Sequence, residues 1–538
     1  MPPSASAHVD TFCRDNLPAE EEWPELPFGD LRYPRRLNCA VELLDRVTDR
    51  VGACRTCLLA PGSDPWTYGE LRRVSNQIAR VLVEDHGIVP GNRVLLRGPN
   101  NPWLVACWFG VLKAGAVAVT TMPMLRESEL ATIAGIAAVD FALCDARFTG
   151  ALRSSGIPGL RVVEYGDGGD LIPAIGTKPA EFTPVDTAAD DVALLAFTSG
   201  TTGRPKATAH FHRDVLAITD TFSAHVLKPE AADVFTGTAP LAFTFGLGGL
   251  VVFPLRAGAS TLLIEKATPD RLAELIAQHA VSVCFTAPTA YRAMLASGKA
   301  DRLSTLRRAV SAGEHLPAST WQSVFDATGI RLINGLGATE MLHIFVASAD
   351  DDIRPGATGR AVPGYVAAVV DERGNPQPAG TAGRLAVKGP TGCRYLADAR
   401  QRAYVRNGWN ITGDTFVQDA DGYFWYQARN DDMIVSSGYN IAAPEVEEAL
   451  LAHPDVLECG VTGLPDEARG QLVTAFVVLR EGAGGAQETV TRLQNFVKER
   501  IAPYKYPRRV VFVGALPKTT TGKLQRYRLR ELAPKAES

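Results

Sequence analysis

At 538 residues the chain exceeds one ordinary hydrophobic core and predicts two or more domains. With 46% hydrophobic and 21% charged residues it reads as globular, and a formal net charge of −4 argues against nucleic acid as a main partner. The most apolar stretch, residues 240–255, is too short to span a bilayer, is broken by Gly246, Gly248 and Gly249, and ends at Arg256. Residues 1–10 lack the basic start and apolar centre of a signal peptide, so the expected location is the cytoplasm. Nine cysteines, an odd number, form no disulfide framework, and the pair Cys54 and Cys57 reads as packing because no second ligand pair lies nearby.

Residues 1–35 are rich in proline and acid, which predicts a segment wrapped over the surface without a core element. From Trp66 the pattern becomes regular. Leu71, Ile78, Ala79 and Leu82 mark a helix, residues 93–96 a strand, residues 104–112 a helix stopped at Gly115, and residues 116–119 a strand. Further apolar runs at 141–143, 192–197, 260–264, 282–285 and 306–310, separated by helical stretches, predict a parallel α/β architecture. Between about 365 and 430 shorter runs with glycine turns predict antiparallel strands. Beyond Arg429 a compact α+β unit follows: helices near 446–453 and 490–501, strands at 472–479 and 510–513.

Within this frame, Thr198, Ser199, Gly200, Thr201, Thr202, Gly203 and Lys206 put hydroxyls, glycines and a cation into one short loop. The apolar run before it, and Phe211, Val215, Ile218 and Phe222 after it, predict strand, loop, helix. Such a loop lets backbone N–H groups converge on phosphate oxygens while hydroxyls and a lysine add donors and charge. The spacing is not that of a Walker A loop, and a flexible surface loop is the plainer alternative.

Four more clusters carry residues that nucleotide chemistry uses. Asn334, Gly335, Thr339 and Glu340 offer a hydroxyl beside a carboxylate, which suits Mg²⁺ bridging phosphates. Asp414 ends a Thr-Gly-Asp turn and would accept hydrogen bonds from ribose hydroxyls, and Arg429 would add a ribose or phosphate contact. Residues 517–523 form a second glycine, hydroxyl and lysine loop ending at Lys523. Each has a plain alternative: a helix start, a common turn, a solvated lysine.

The combination, in this order, resembles the adenylate-forming superfamily of acyl-CoA synthetases, amino-acid adenylation domains and luciferase-like enzymes. The resemblance runs from Trp66 to Lys523. It implies an α/β fold with a large N-terminal domain of α/β subdomains plus a short β region, residues 1–430. A small mobile α+β C-terminal domain follows, residues 431–538, with its hinge at Asp431. It further implies that ATP, Mg²⁺ and coenzyme A are used, that Lys523 acts at the reacting carboxylate, that Thr339 touches the α-phosphate and that Glu340 binds the metal. The 198–206 loop would hold the β- and γ-phosphates, Gly313 and Glu314 would lie along the adenine, and Gly438 would line a thiol tunnel.

The family's acyl pocket corresponds to Phe243, Thr244, Phe245, Gly246, Gly335 and His343. No aspartate occurs between Ala239 and Leu255 to pair an amino acid's ammonium. The aromatic lining suits a benzoate-sized acid. Residues 337–345 resemble the benzoate-CoA ligase group, and residues 8–24 resemble the start of 2-aminobenzoate-CoA ligases. His343 would orient the acid's carboxylate. The expected activity is that of an aryl-CoA ligase acting as a monomer or homodimer, the alternative being an adenylating enzyme that loads a carrier protein.

Overall fold

Apolar runs without alternation become strands covered on both faces, which in this chain are those of two largely parallel sheets. The computed structural model describes residues 5–198, 205–429, 433–436, 439–466, 469–483, 487–501, 503–518 and 524–532. One sheet has six strands in the spatial order Arg161–Tyr165, Phe141–Asp145, Arg93–Arg97, Val117–Thr121, Val192–Thr198 and Lys206–Phe211. The first five are parallel and the last is antiparallel to its neighbour. The second sheet has nine strands, parallel from Thr56–Leu59 through to Leu332–Gly337 and antiparallel at both ends. One hydrophobic core, containing Leu58, Leu96, Phe109, Phe222, Phe253 and Phe285, spans both.

Local signals explain where the helices begin. Thr67 and Glu70 close a capping box around the start of Tyr68–Arg80, and Asn101 caps Pro102–Lys113, which has proline in its first turn. The antiparallel region also forms as expected, a five-stranded sheet that includes Val366–Val370, Ala382–Lys388, Trp409–Gln418 and Phe424–Arg429. The C-terminal unit packs helices Ala443–Leu451 and Gln487–Arg500 on the strands Val456–Asp466, Gly470–Leu479 and Arg509–Phe512, around a core of its own. Among the described residues no helix is long and apolar enough to cross a membrane.

Two expectations are revised, those for residues 206–211 and for the N-terminal segment. Lys206–Phe211 is a strand, antiparallel to Val192–Thr198, and the helix starts only at His212. Phe211, read above as the first apolar helical position, is the residue preceding that helix. Residues 244–257 are helical throughout, as Thr244–Leu247, Gly248–Val252 and Phe253–Ala257. The N-terminal segment does enter the core: it contains the short helix Phe12–Asp15, Cys13 is buried, and Trp23 packs on Phe211 with ring centroids 5.7 Å apart.

Candidate active site

The edge hairpin of the six-stranded sheet builds one end of the site. Thr198 lies opposite Lys206 across the ladder, and the Thr198 hydroxyl is buried without a hydrogen-bond partner among the described residues. Lys206 Nζ donates to the Tyr395 hydroxyl at 2.5 Å, and that hydroxyl donates to Glu340 Oε1. Lys206 Nζ stands 3.5 Å from the same carboxylate oxygen and 4.4 Å from the Tyr395 ring centroid. Burial, then the charge of Glu340, push the Tyr395 phenol far above its ordinary range, so it keeps its proton.

The backbone around this cluster is fixed from behind. Residues 393–396 run beside Lys206–Phe211: Thr208 bridges Tyr395, Ala209 N–H donates to the Arg394 carbonyl at 2.8 Å, and Leu396 N–H donates to the Ala207 carbonyl at 2.9 Å. Tyr395 points to the lysine, while Arg394 points into the core and pairs with Asp214 at 2.8 Å, neither side chain being exposed. His210 Nε2 lies 2.8 Å from the Thr339 carbonyl, and because a carbonyl only accepts, Nε2 carries the proton. Burial lowers the His210 pKa to about 4, so the ring is neutral at working pH.

A second group of expected residues gathers at the carboxyl ends of the central strands of the nine-stranded sheet, where ligands bind in open α/β sheets. Ser311 and Asn334 are register partners on adjacent strands, and the Asn334 amide donates to the Ala357 carbonyl at 3.2 Å. Gly313, with φ of 88°, turns the chain after Arg308–Ala312 and leads to Glu314. Asp414 sits opposite Arg429 in the antiparallel sheet. Beyond them His315 stacks on Tyr426 at 5.1 Å, and burial, then the charge of Arg526, lower its pKa to about 4. Arg526 belongs to the C-terminal unit, which also touches this region through Glu448: its Oε1 accepts from the Ala318 N–H at 3.1 Å.

The third part is a cage of phenylalanines around His343. Its ring centroid lies 4.6 Å from Phe253, 5.4 Å from Phe222, 5.8 Å from Phe245 and 6.2 Å from Phe285. Burial drives its pKa down to about 3, and the imidazole is therefore neutral. Neither ring nitrogen meets a hydrogen-bond partner of good geometry among the described residues, although the Phe245 backbone lies close enough to favour the protonated form slightly. Phe243, Thr244 and Phe245 are half-buried at the start of the 244–257 helical stretch. Two glycines make room for their neighbours: a methyl on Gly246 would lie 2.2 Å from the Pro240 carbonyl oxygen, and one on Gly335 2.4 Å from Ile344 Cδ1. Between Glu340 and His343 the chain turns at Leu342, which is buried and held at φ 67°, a conformation that L residues other than glycine rarely adopt.

Gly248 sets the position of the histidine. An added methyl would fall 2.3 Å from His343 Cδ2 and 2.6 Å from Nε2, and four phenyl rings leave the imidazole nowhere to swing. Gly248→Ala is expected to cost about 1–3 kcal/mol by overpacking. Chemical denaturation reads this directly; an unchanged midpoint would mean that the cage has slack.

Ser199, Gly200, Thr201, Thr202, Gly203, Asp431, Gly438 and Lys523 lie outside the described residues, and of Arg429 only the backbone is described. The remaining expected residues form the three groups above. Sequence reading missed Tyr395, Arg394, Asp214, His210, Phe222, Phe253 and Phe285. The pair Arg394 and Tyr395, a cation beside an aromatic in a turn-rich stretch, carried the one available signal.

With this geometry in view, known proteins identify the family. The model of the AMP-binding enzyme family matches residues 47–395, and that of the AMP-binding enzyme C-terminal domain matches residues 445–523. The benzoate–CoA ligase of Thauera aromatica is 34% identical over 514 residues, covering 93% of this chain and 97% of that protein. Among solved structures, the anthranilate CoA ligase AuaEII in complex with anthranoyl-AMP superposes with a TM-score of 0.88 at 33% identity, covering 93% of this chain and 98% of that one. A benzoate CoA ligase from Burkholderia xenovorans LB400 gives 0.85 at 30% identity, covering 92% and 100%. The chain belongs to the AMP-binding enzyme family. It is an acid–CoA ligase, similar over nearly its whole length to ligases of the benzoate type.

Proposed function

We propose that the chain is an aryl-CoA ligase whose preferred acid is 2-aminobenzoate, activated by ATP as an acyl adenylate and passed to the thiol of coenzyme A. One observation carries the choice of a small aromatic acid: a neutral, buried histidine, whose nitrogens meet no hydrogen-bond partner of good geometry among the described residues, stands among four phenylalanines. A flat ring gains from such walls. A polar group on that ring would satisfy a nitrogen that is costly to leave unpaired. Because His343 is neutral, its contact with an acid is a hydrogen bond and not an ion pair.

In the first half-reaction a carboxylate oxygen attacks the α-phosphorus, the bond to the bridging oxygen breaks, and pyrophosphate departs with the electron pair. Lys206 and the 198–206 stretch hold the departing phosphates, Thr339 the α-phosphate, Asp414 with Arg429 the ribose, and Gly313 with Glu314 the adenine. Lys523 neutralises the charge that gathers where carboxylate and phosphate meet. In the second half-reaction the thiol attacks the acyl carbon, the carbon–oxygen bond to AMP breaks, and Gly438 leaves room for the pantetheine arm. A magnesium ion would be held through Glu340, a buried carboxylate whose contacts with Tyr395 and Lys206 both fall on Oε1, since Mg²⁺ favours one or two carboxylates together with phosphate oxygens. When bound, the ion would neutralise charge on the phosphates. Asp431 is the proposed hinge between residues 1–430 and 431–538.

Pyrophosphate exchange over a panel of aromatic acids, followed by thioester assays with and without CoA, tests this reading. Exchange without a thioester from free CoA would turn the assignment to a carrier-protein loader, which the CoA ligases described above do not favour. Thr244, half-buried beside Phe243 and Phe245, is the proposed reader of the ortho amino group. Thr244→Ala is expected to lower the kcat/KM for 2-aminobenzoate about tenfold more than that for benzoate, the worth of one hydrogen bond. Equal losses on both acids sink the role.

A further inference from the structure

The Tyr395 hydroxyl stands between two opposite charges that would otherwise close on each other. A lysine and a carboxylate in direct contact settle near 2.8 Å; Lys206 Nζ and Glu340 Oε1 stay at 3.5 Å, each hydrogen-bonded to the phenol. A phenol suits this post because it accepts from the ammonium and donates to the carboxylate at once. Both contacts to Glu340 fall on Oε1, and neither uses Oε2.

The phenol itself is rigidly placed. Tyr395 N–H donates to Gln401 Oε1 at 2.9 Å, the ring stacks edge-on against Tyr404 at 5.7 Å, and the residue is bridged to Thr208 on the strand that carries Lys206. Gln401 is buried and is itself tied to the Glu22 carbonyl at 2.9 Å. The lysine also lies over the rings of Tyr395 and Tyr404, at 4.4 and 5.8 Å from their centroids.

We propose that Tyr395 is a positioning residue for the nucleotide: its hydroxyl bridges the Lys206–Glu340 ion pair and keeps the two from closing into direct hydrogen-bonded contact, so that the lysine can turn to phosphate oxygens and the carboxylate to the accompanying divalent cation. This rests on the reading of those two residues given above. Without the hydroxyl, Lys206 collapses onto Glu340, and a magnesium–nucleotide complex must first separate them. Acid binding, which takes place in the phenylalanine cage, is untouched.

Tyr395→Phe keeps the ring and removes the bridge. Calorimetric titration of ATP into the wild-type and variant proteins, with and without Mg²⁺ and with no acid present, gives the decisive readout. In the presence of Mg²⁺ the variant's Kd for ATP is expected to rise about tenfold, the scale of one hydrogen bond to a charged group. The Mg²⁺ concentration giving half-maximal binding rises with it, while the KM for the aromatic acid stays within about twofold. Unchanged Mg²⁺-dependent binding in a folded variant overturns the proposal alone. Equal weakening of acid and nucleotide, together with a lower Tm, overturns it in favour of a purely structural tyrosine. A wild-type protein that binds no ATP overturns the underlying reading and the proposal with it.

Discussion

Lys523→Ala is expected to lower adenylate formation about 100- to 1,000-fold, the scale of removing one group that stabilises transition-state charge. The attacking carboxylate and the α-phosphate are both anions, and a cation must offset their repulsion as they meet. Lys206 is poorly suited to that post, because its ammonium is held against Tyr395 and 3.5 Å from Glu340, the residues proposed to meet the departing phosphates and their metal. Lys206→Ala is accordingly expected to cost only about tenfold in ATP use. Pyrophosphate exchange measures the first half-reaction. Thioester formation from supplied acyl adenylate measures the second, and it should survive the loss of Lys523. Equal falls in both halves would refute this division of labour.

Asp214→Asn is expected to destabilise the large domain by about 3–5 kcal/mol, because it leaves a buried charge without its counterion. Arg394 has no exposed side-chain surface, lies 4.0 Å from the Phe211 ring and 5.0 Å from that of Trp23, and pairs with Asp214 at 2.8 Å. Asp214 also accepts from the Phe211 N–H at 3.0 Å, which holds the start of the following helix. Urea denaturation reads the loss. The double variant Asp214→Leu with Arg394→Met removes both charges and should recover much of it, since a buried pair replaced by apolar groups is often near neutral. If the single variant loses less than about 1 kcal/mol, water reaches the pair and the argument from burial fails.

The main strands were legible because a parallel sheet covered on both faces demands unbroken apolar runs, and the runs at 93–96, 192–197 and 306–310 all became strands. Lys206–Phe211 escaped notice because Ala207 and Ala209 have little strand character, and the pairing that makes the stretch a strand comes from Val192–Thr198 on one side and residues 393–396 on the other. Val456–Asp466, a strand for which the sequence reading named no element, contains Gly460 and Gly463, residues that weaken a strand signal. The structure needs them for space, since a methyl on Gly460 would crowd Leu524 and Leu529, and one on Gly463 would crowd Gln471. Of the site, residue types that match a chemical task were visible one by one. Tyr395 was not, because it lies 189 residues from the lysine it touches and nothing local marks a phenol as a spacer.

Glu340 and His343 are three peptide steps apart, which limits their separation to about 10 Å however the surroundings pack. The left-handed turn at Leu342 spends part of that length on a change of direction. Under the proposed assignment, with the acid's ring at His343 and the phosphates at Glu340, the chain carries a ruler: the depth of the ring beneath the phosphates follows from covalent length and the turn at Leu342, while the phenylalanines set width and floor. Redesign of the cage can exchange ring substituents and leave the reach intact. Admitting an acid with its ring displaced from the carboxylate by several methylenes requires inserting or deleting a residue between positions 340 and 343.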